Sequence, residues 1–216
     1  MGKYKAVLFD LDGTLINTLE DLADATNYAL NRLGFESRPV ENFRYYAGNG
    51  IAVMIERALP ENTATPQLIE QLKKHFFDYY GVHYADKTAA YKGMPELVGA
   101  LRRKGLKVAV VTNKEENIAK TILNKLYPEG FDLIFGQRDD VPPKPDPTLA
   151  LMAMKELGVE PEECIFVGDS GVDIETAVNS GTLPVGVLWG FRDERELRQN
   201  GAKHIISTPE ELLNLL

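Results

Sequence analysis

The sequence predicts an α/β protein with a Rossmann-like parallel sheet core, helices on both faces of that sheet, and an inserted all-helical cap domain. Three observations carry this. Short apolar runs bounded by Gly, Pro or Asp alternate with helical patterns over most of the chain. The runs are continuous rather than alternating in polarity, as in strands buried on both faces. One long stretch, residues 16–91, breaks the rhythm with helical patterns only.

In chain order, residues 5–9 (KAVLF) form the first run and lead into acidic residues and Gly13, which suits a buried strand that ends in a turn. Residues 107–112, 132–135, 164–168 and 184–188 repeat the type, and 204–206 adds a brief further strand. Between them, apolar residues spaced three and four apart predict helices over 94–104, 115–126, 148–157, 172–180 and 209–215. Repeated strand-then-helix order implies a parallel sheet, whose ligands bind outside the C-terminal ends of its strands. Within residues 16–91 the helical patterns cover 19–33, 51–59 and 67–84, with no convincing strand. An insertion after the first strand leaves and re-enters near the sheet's C-terminal edge, as a lid does. The expected organisation is a catalytic core of residues 1–15 and 92–216 with a helical cap of residues 16–91, hinged near 15–18 and 91–93.

Composition bounds the function. Hydrophobic residues make up 44% of the 216 and charged residues 26%, enough for a sizeable core and typical of a soluble globular chain. The formal charge of −8 disfavours general binding to nucleic acid or to anionic membrane, both of which need a surplus of Lys and Arg. An acidic protein that handles a phosphorylated anion must then supply local positive charge from a few basic residues, helix N-termini or a metal. Cys164 is the only cysteine, so neither an intramolecular disulfide nor a multi-Cys zinc site can form. The first apolar run is too brief for a signal h-region or a membrane span, and a cytoplasmic protein is expected.

The sharpest local feature is Asp10-Leu-Asp-Gly-Thr-Leu15, which sets two carboxylates two residues apart where a buried strand ends. Repulsion and desolvation there call for a compensating cation, and a divalent metal is one answer. An ordinary strand-end turn is the competing reading. An EF-hand calcium loop fits worse, because that loop needs Gly at its sixth position and lies between two helices. Further along stand Val110-Val-Thr-Asn-Lys114 after a second strand, Lys144 in Pro142-Pro-Lys-Pro-Asp146, and Gly168-Asp-Ser-Gly-Val-Asp173 after a later strand. Thr112 and Asn113 are expected where strand gives way to helix, facing an anion or simply capping that helix. Neighbouring prolines restrict the backbone around Lys144. Asp169 and Asp173 are expected toward the start of a helix, where acids are often mere dipole complements.

In order and together, these four motifs closely resemble those of the haloacid dehalogenase superfamily, in the phosphatase branch that includes phosphoglycolate phosphatases. The resemblance implies that Asp10 attacks phosphorus to give an aspartyl-phosphate, while Asp12 protonates the leaving oxygen and then activates water. It implies that Thr112 binds the phosphate, with Asn113 beside it, and that Lys144 neutralises both the phosphate and the nucleophilic carboxylate. Mg²⁺ is implied as cofactor, held by the Asp10 carboxylate, the Asp12 backbone carbonyl and Asp169, with Asp173 and Ser170 in supporting roles.

The cap is expected to hold the information on substrate. Residues 45–50 (YYAGNG) read as a Gly-containing turn before a helix, and Asn49 and Gly50 are substrate-binding candidates there, ahead of Arg44 and Arg57. The apolar stripe of residues 19–33 reads as core, His75, His83 and His204 as structural or solvated, and Cys164 as a small buried hydrophobe.

By resemblance, a dehalogenase is disfavoured because that branch lacks an acid at the position of Asp12, and a phosphonate hydrolase because its second acid is replaced. A hexose-phosphate mutase of the β-phosphoglucomutase type is the serious rival, with a nucleotidase or pyrophosphatase of the same superfamily next and a non-enzymatic binding module last. The expected activity is magnesium-dependent hydrolysis of a small phosphorylated metabolite, phosphoglycolate first, by a monomer or homodimer.

Overall fold

The computed structural model describes residues 3–138 and 140–216. In chain order its strands and α-helices are β1 (Ala6–Phe9), β2 (Ile16–Asn17), α1 (Leu19–Arg32), α2 (Phe43–Tyr46), α3 (Ile51–Ala58), α4 (Pro66–His83), β3 (Ala89–Ala90), α5 (Met94–Arg103) and β4 (Lys107–Glu115). There follow α6 (Glu116–Leu126), β5 (Leu133–Gln137), α7 (Thr148–Leu157), β6 (Cys164–Gly168), α8 (Gly171–Ser180), β7 (Leu183–Val187), α9 (Glu194–Gln199) and β8 (His204–Ile206). The chain divides into two compact units, one comprising everything up to Asn17 together with Ala90–Leu216, the other Thr18–Ala89. Among the described residues no helix is long and apolar enough to cross a membrane.

The first unit is built on a six-stranded sheet in the order β5-β4-β1-β6-β7-β8, and each strand pair is parallel. All four residues of β1 are buried, as the continuous apolar run requires of a central strand. Ala6 and Leu8 face one side, packed with Leu149, Ala150 and Ala153 of α7 and Ala177 of α8, and by the two-residue repeat of a strand Val7 and Phe9 face the other. Strand order reverses at β1, which has β4 on one side and β6 on the other, and in open α/β sheets such a switch point opens a crevice at the strands' C-terminal ends.

Several local expectations are corrected. Residues 16–91 do contain strand: β2 and β3, each two residues long, form a small second sheet, too short to leave a periodic trace. The second core strand does not stop at Thr112 but runs on to Glu115, with a shift of register against β5 between Val111 and Glu115. Residues 209–215 form a 3-10 helix rather than an α-helix. Tyr45 and Tyr46 end the short helix α2, so the turn before α3 is confined to residues 47–50.

The main helices of the inserted unit each bury one face, and α4 also carries a clear start signal. On α4, Thr65 caps the first turn by accepting from Leu68 N, Pro66 occupies a first-turn position, and Leu72, Phe76 and Tyr80 recur every four residues as the buried face. On α1, Leu22, Ala23, Ala25 and Ala29 are buried, in keeping with a core stripe. One acid is buried with them: Asp21 accepts from Lys87 N, Thr88 N and Thr88 Oγ1, the last two at 2.8 and 2.6 Å, tying the returning chain to the start of α1.

Asp21→Ala leaves those part-buried donors without their charged, buried acceptor and is expected to destabilise the protein by about 2–3 kcal/mol, measured as a lower urea midpoint. Asp24 pairs with Lys87 at the surface, 2.7 Å apart, and Asp24→Ala is expected to change stability by less than about 1 kcal/mol. Equal losses from the two variants would refute the buried-clasp account.

Candidate active site

Three strand ends meet at the switch point. Asp10 follows β1, Lys114 lies within the polar end of β4, and Asp169 follows β6, with Asp173 in the first turn of α8. Lys144, in the turn that precedes α7, completes the group. Lys144 is buried, and its Nζ donates to Asp10 Oδ1 at 2.6 Å and to Asp173 Oδ1 at 2.7 Å. The side chains of Asp10, Asp169 and Asp173 bring carboxylate oxygens within 4.8 Å of one another, all buried.

Each acid is held differently. Asp173 Oδ2 accepts from Ser170 N and Ser170 Oγ, in the capping box that starts α8, so both its oxygens are committed. Asp169 Oδ1 accepts from Thr14 Oγ1 at 3.0 Å and its Oδ2 from Phe191 N at 2.8 Å. Asp10 gives Oδ1 to Lys144, while Oδ2 has no hydrogen-bond donor among the described residues. Backbone closes tightly around this set. Gly13 has φ +92°, and a Cβ there would overlap the Asp169 carboxylate, as one at Gly190 would overlap Asp169 Cβ and Gly13 O.

Burial is the dominant electrostatic fact. It pushes the Asp10 carboxyl up, Asp173's charge adds to it, and Lys144 opposes both, leaving Asp10 at about 7. Burial followed by the charges of Asp173 and Asp10 pushes Asp169 well above the usual carboxylate range. Burial works against the Lys144 ammonium, but Asp10 and Asp173 outweigh it and hold its pKa above the ordinary lysine value. Three carboxylates against one ammonium leave two negative charges unmatched when all are ionised. That surplus, carried by hard oxygen donors, fits a divalent cation.

Of the residues singled out in the sequence, Asp10, Lys144, Asp169 and Asp173 are gathered here, and Ser170 supports Asp173. Asp12 stands apart from the cluster: its carboxylate faces Lys114 Nζ, 3.1 and 3.3 Å from the two oxygens. Because β4 continues past them, Thr112 and Asn113 do not sit at a helix N-terminus, which corrects that expectation. Thr112 Oγ1 accepts from Lys114 N. Asn113 clasps the Lys144 backbone, donating from Nδ2 to its carbonyl at 3.1 Å and accepting its N–H at 2.8 Å. Asn49 and Gly50 lie in the inserted unit, where Gly50 has φ +86° as the N-cap of α3 and Arg57 donates to the carbonyls of Tyr45 and Tyr46. His83 bonds Asp86 at 2.7 Å and His75 lies 3.7 Å from Asp78, both within that unit. Buried Cys164 donates to Glu160 O and burial pushes its thiol up to about 12, as an inert core residue.

Sequence reasoning missed Lys114 as the partner of Asp12, Thr14 and Phe191 N as the supports of Asp169, and Trp189, whose Nε1 donates to Thr14 O at 2.9 Å. Thr14 lies within the first motif and could have been singled out there. A backbone donor such as Phe191 N has no sequence signal at all.

A family model described as haloacid dehalogenase-like hydrolase matches residues 7–187. A phosphoglycolate phosphatase of Aquifex aeolicus is 36% identical over 213 residues, covering 98% of this chain and 96% of its own. An N-acetylmuramic acid 6-phosphate phosphatase of Pseudomonas aeruginosa is 33% identical over 216 residues, covering 99% and 95%. The solved structure of a protein from Lactobacillus delbrueckii subsp. bulgaricus superposes with a TM-score of 0.92 at 32% identity, covering 99% of this chain and 98% of that one.

The raised carboxyls make a prediction with a definite sign. Asp10 rises from an ordinary 3.8 to about 7 on folding, so between those values the folded, metal-free protein keeps a proton that the unfolded chain has lost. Asp10 therefore weighs increasingly against the fold as pH rises through that window, and no further above it. A divalent cation that binds the ionised cluster must displace those protons. Added divalent cation should then raise Tm more at pH 8 than at pH 5.5, and Asp10→Asn should remove most of the effect. Equal shifts at the two pH values, or none at either, would rule out this cluster as the metal site.

Proposed function

The chain belongs to the haloacid dehalogenase-like hydrolase family and is a phosphatase of it, and we propose that it hydrolyses a small phosphomonoester with Mg²⁺ through an aspartyl-phosphate on Asp10. The observation that carries the reading is the buried group of Asp10, Asp169 and Asp173 around Lys144 at the switch point of the sheet. Such a site attracts a dication and, once that is bound, a phosphoryl group. Mg²⁺ would be held by Asp10 and Asp169 together with the Asp12 carbonyl, and when bound it neutralises charge that builds on the transferring phosphoryl oxygens.

The chain's own residues supply the rest. Asp10 Oδ2, without a donor of its own among the described residues, attacks phosphorus, and the P–O bond to the alcohol breaks. Asp12 gives its carboxyl proton to the departing oxygen. In the second half the Asp12 carboxylate takes a proton from water, the resulting hydroxide attacks the aspartyl-phosphate, and the P–O bond to Asp10 breaks to release phosphate and restore both acids. Lys144 offsets charge on Asp10 and on the phosphoryl group, Thr112 binds a phosphoryl oxygen, and Asn113 keeps Lys144 in place.

The two curated relatives described above are named for phosphomonoesters that also carry a carboxylate, phosphoglycolate and N-acetylmuramic acid 6-phosphate. On that support the proposed substrate is a small phosphorylated acid, phosphoglycolate first, met in the cytoplasm by a monomer or homodimer. The inserted unit, residues 18–89, is the proposed cap, with Asn49 and Gly50 as its substrate-facing residues.

The test is phosphate release from a panel of 2-phosphoglycolate, N-acetylmuramic acid 6-phosphate, hexose phosphates, nucleoside monophosphates and pyrophosphate, with Mg²⁺ or chelator and no bisphosphate activator. Steady release is expected with Mg²⁺ and from the carboxylate-bearing esters first. Asp10→Asn should lower kcat by roughly 10³-fold or more. No release from any member, or undiminished release by the variant, would refute the mechanism.

A further inference from the structure

We propose that Lys114 is a positioning residue that sets the orientation of the Asp12 carboxylate for proton transfer, an inference that rests on the phosphatase reading. Asp12 is two residues from Asp10 in a site that already holds Asp10, Asp169 and Asp173. Its backbone is fixed by the turn that follows, where Gly13 N donates to Ile16 O and the N–H groups of Thr14 and Leu15 donate to Leu11 O. Those bonds leave the side-chain torsions of Asp12 unset. Lys114 Nζ sets them by contacting both oxygens, at 3.1 and 3.3 Å.

The lysine is built for this contact. Its side chain is 4% exposed against 19% for that of Asp12, so the ammonium lies beneath the carboxylate and the carboxylate retains the accessible side. Burying and ordering a long flexible side chain carries a conformational cost that only a specific partner offsets. At its root, Lys114 N donates to Thr112 Oγ1 at 3.2 Å, inside the polar run that prolongs β4 to Glu115. One tripeptide thus serves two proposed groups at once: Asn113 clasps the Lys144 backbone, and Lys114 orients Asp12. Proton transfer is sensitive to displacements of about 1 Å, so an Asp12 freed to rotate loses efficiency without being removed.

The experiment is a double-mutant cycle read by kinetics and by crystallography. Lys114→Met keeps the apolar stem and should lower kcat roughly 10–100-fold with little change in KM, while Lys114→Arg should recover part of the loss. The Asp12→Asn, Lys114→Met double variant should be no slower than Asp12→Asn alone, because the lysine acts through the acid. Losses that multiply, or a Lys114→Met variant as fast as the wild type, would overturn the inference. A crystal structure of Lys114→Met should show the Asp12 carboxyl rotated or spread over rotamers; an unmoved Asp12 overturns the inference whatever the activity. Absence of phosphate release by the wild type would instead count against the phosphatase reading, with the crystallographic arm still deciding the role of Lys114.

Discussion

Everything at the candidate site depends on the Lys144 ammonium, which lies 2.6 Å from Asp10 and 2.7 Å from Asp173 in a buried setting. Removing ions from water costs several kcal/mol apiece in order of magnitude, and a pair repays that only when its geometry and hydrogen bonding are good. Here the geometry is enforced from the backbone, since the Asn113 amide grips both the N–H and the carbonyl of Lys144. The ammonium is thus fixed before any ligand arrives, which is the condition for preorganised stabilisation of developing charge.

Burial first, and then the surplus of three acids over one lysine, hold Asp10 at about 7 and Asp169 well above the usual range. The two acids respond to the same burial with different consequences. Asp169 is pinned at both oxygens by Thr14 and Phe191 N, so it can hold a cation but has little freedom to react. Asp10 has one oxygen engaged by Lys144 and the other without a donor among the described residues, which is the arrangement a nucleophile needs. The Asp12 carboxylate is drawn aside by Lys114. A set of chemically equivalent carboxylates is differentiated entirely by what each one touches.

Much of this is legible in the sequence, for a physical reason. Continuous apolar runs such as residues 5–9 mark strands buried on both faces, and polar residues that follow them fall on one edge of the sheet once the strands are parallel. Asp10 and Asp169 come together this way although they are remote in sequence. The prolongation of β4 is not legible, because Asn113, Lys114 and Glu115 are polar and carry no strand period; tertiary bonds to Lys144 and Asp12 keep Asn113 and Lys114 in place. The strands β2 and β3 are too short for any pattern, and α9, of six residues, is scarcely longer. The contact of Lys114 with Asp12 spans 102 positions, beyond the reach of local reasoning.

Substrate choice lies on a different level from this chemistry. In the proposed mechanism a carboxylate nucleophile, a buried lysine and a cation act on the phosphoryl group and are indifferent to the alcohol that departs. Relatives of comparable identity, 36% and 33% over almost the whole chain, carry the names of different phosphomonoesters. The residues that discriminate between such alcohols must touch parts of the substrate remote from phosphorus. The core devotes its polar side chains at the strand ends largely to one another, as Asn113, Lys114, Ser170 and Thr14 illustrate. Under the proposed mechanism, discrimination therefore falls to groups outside that network.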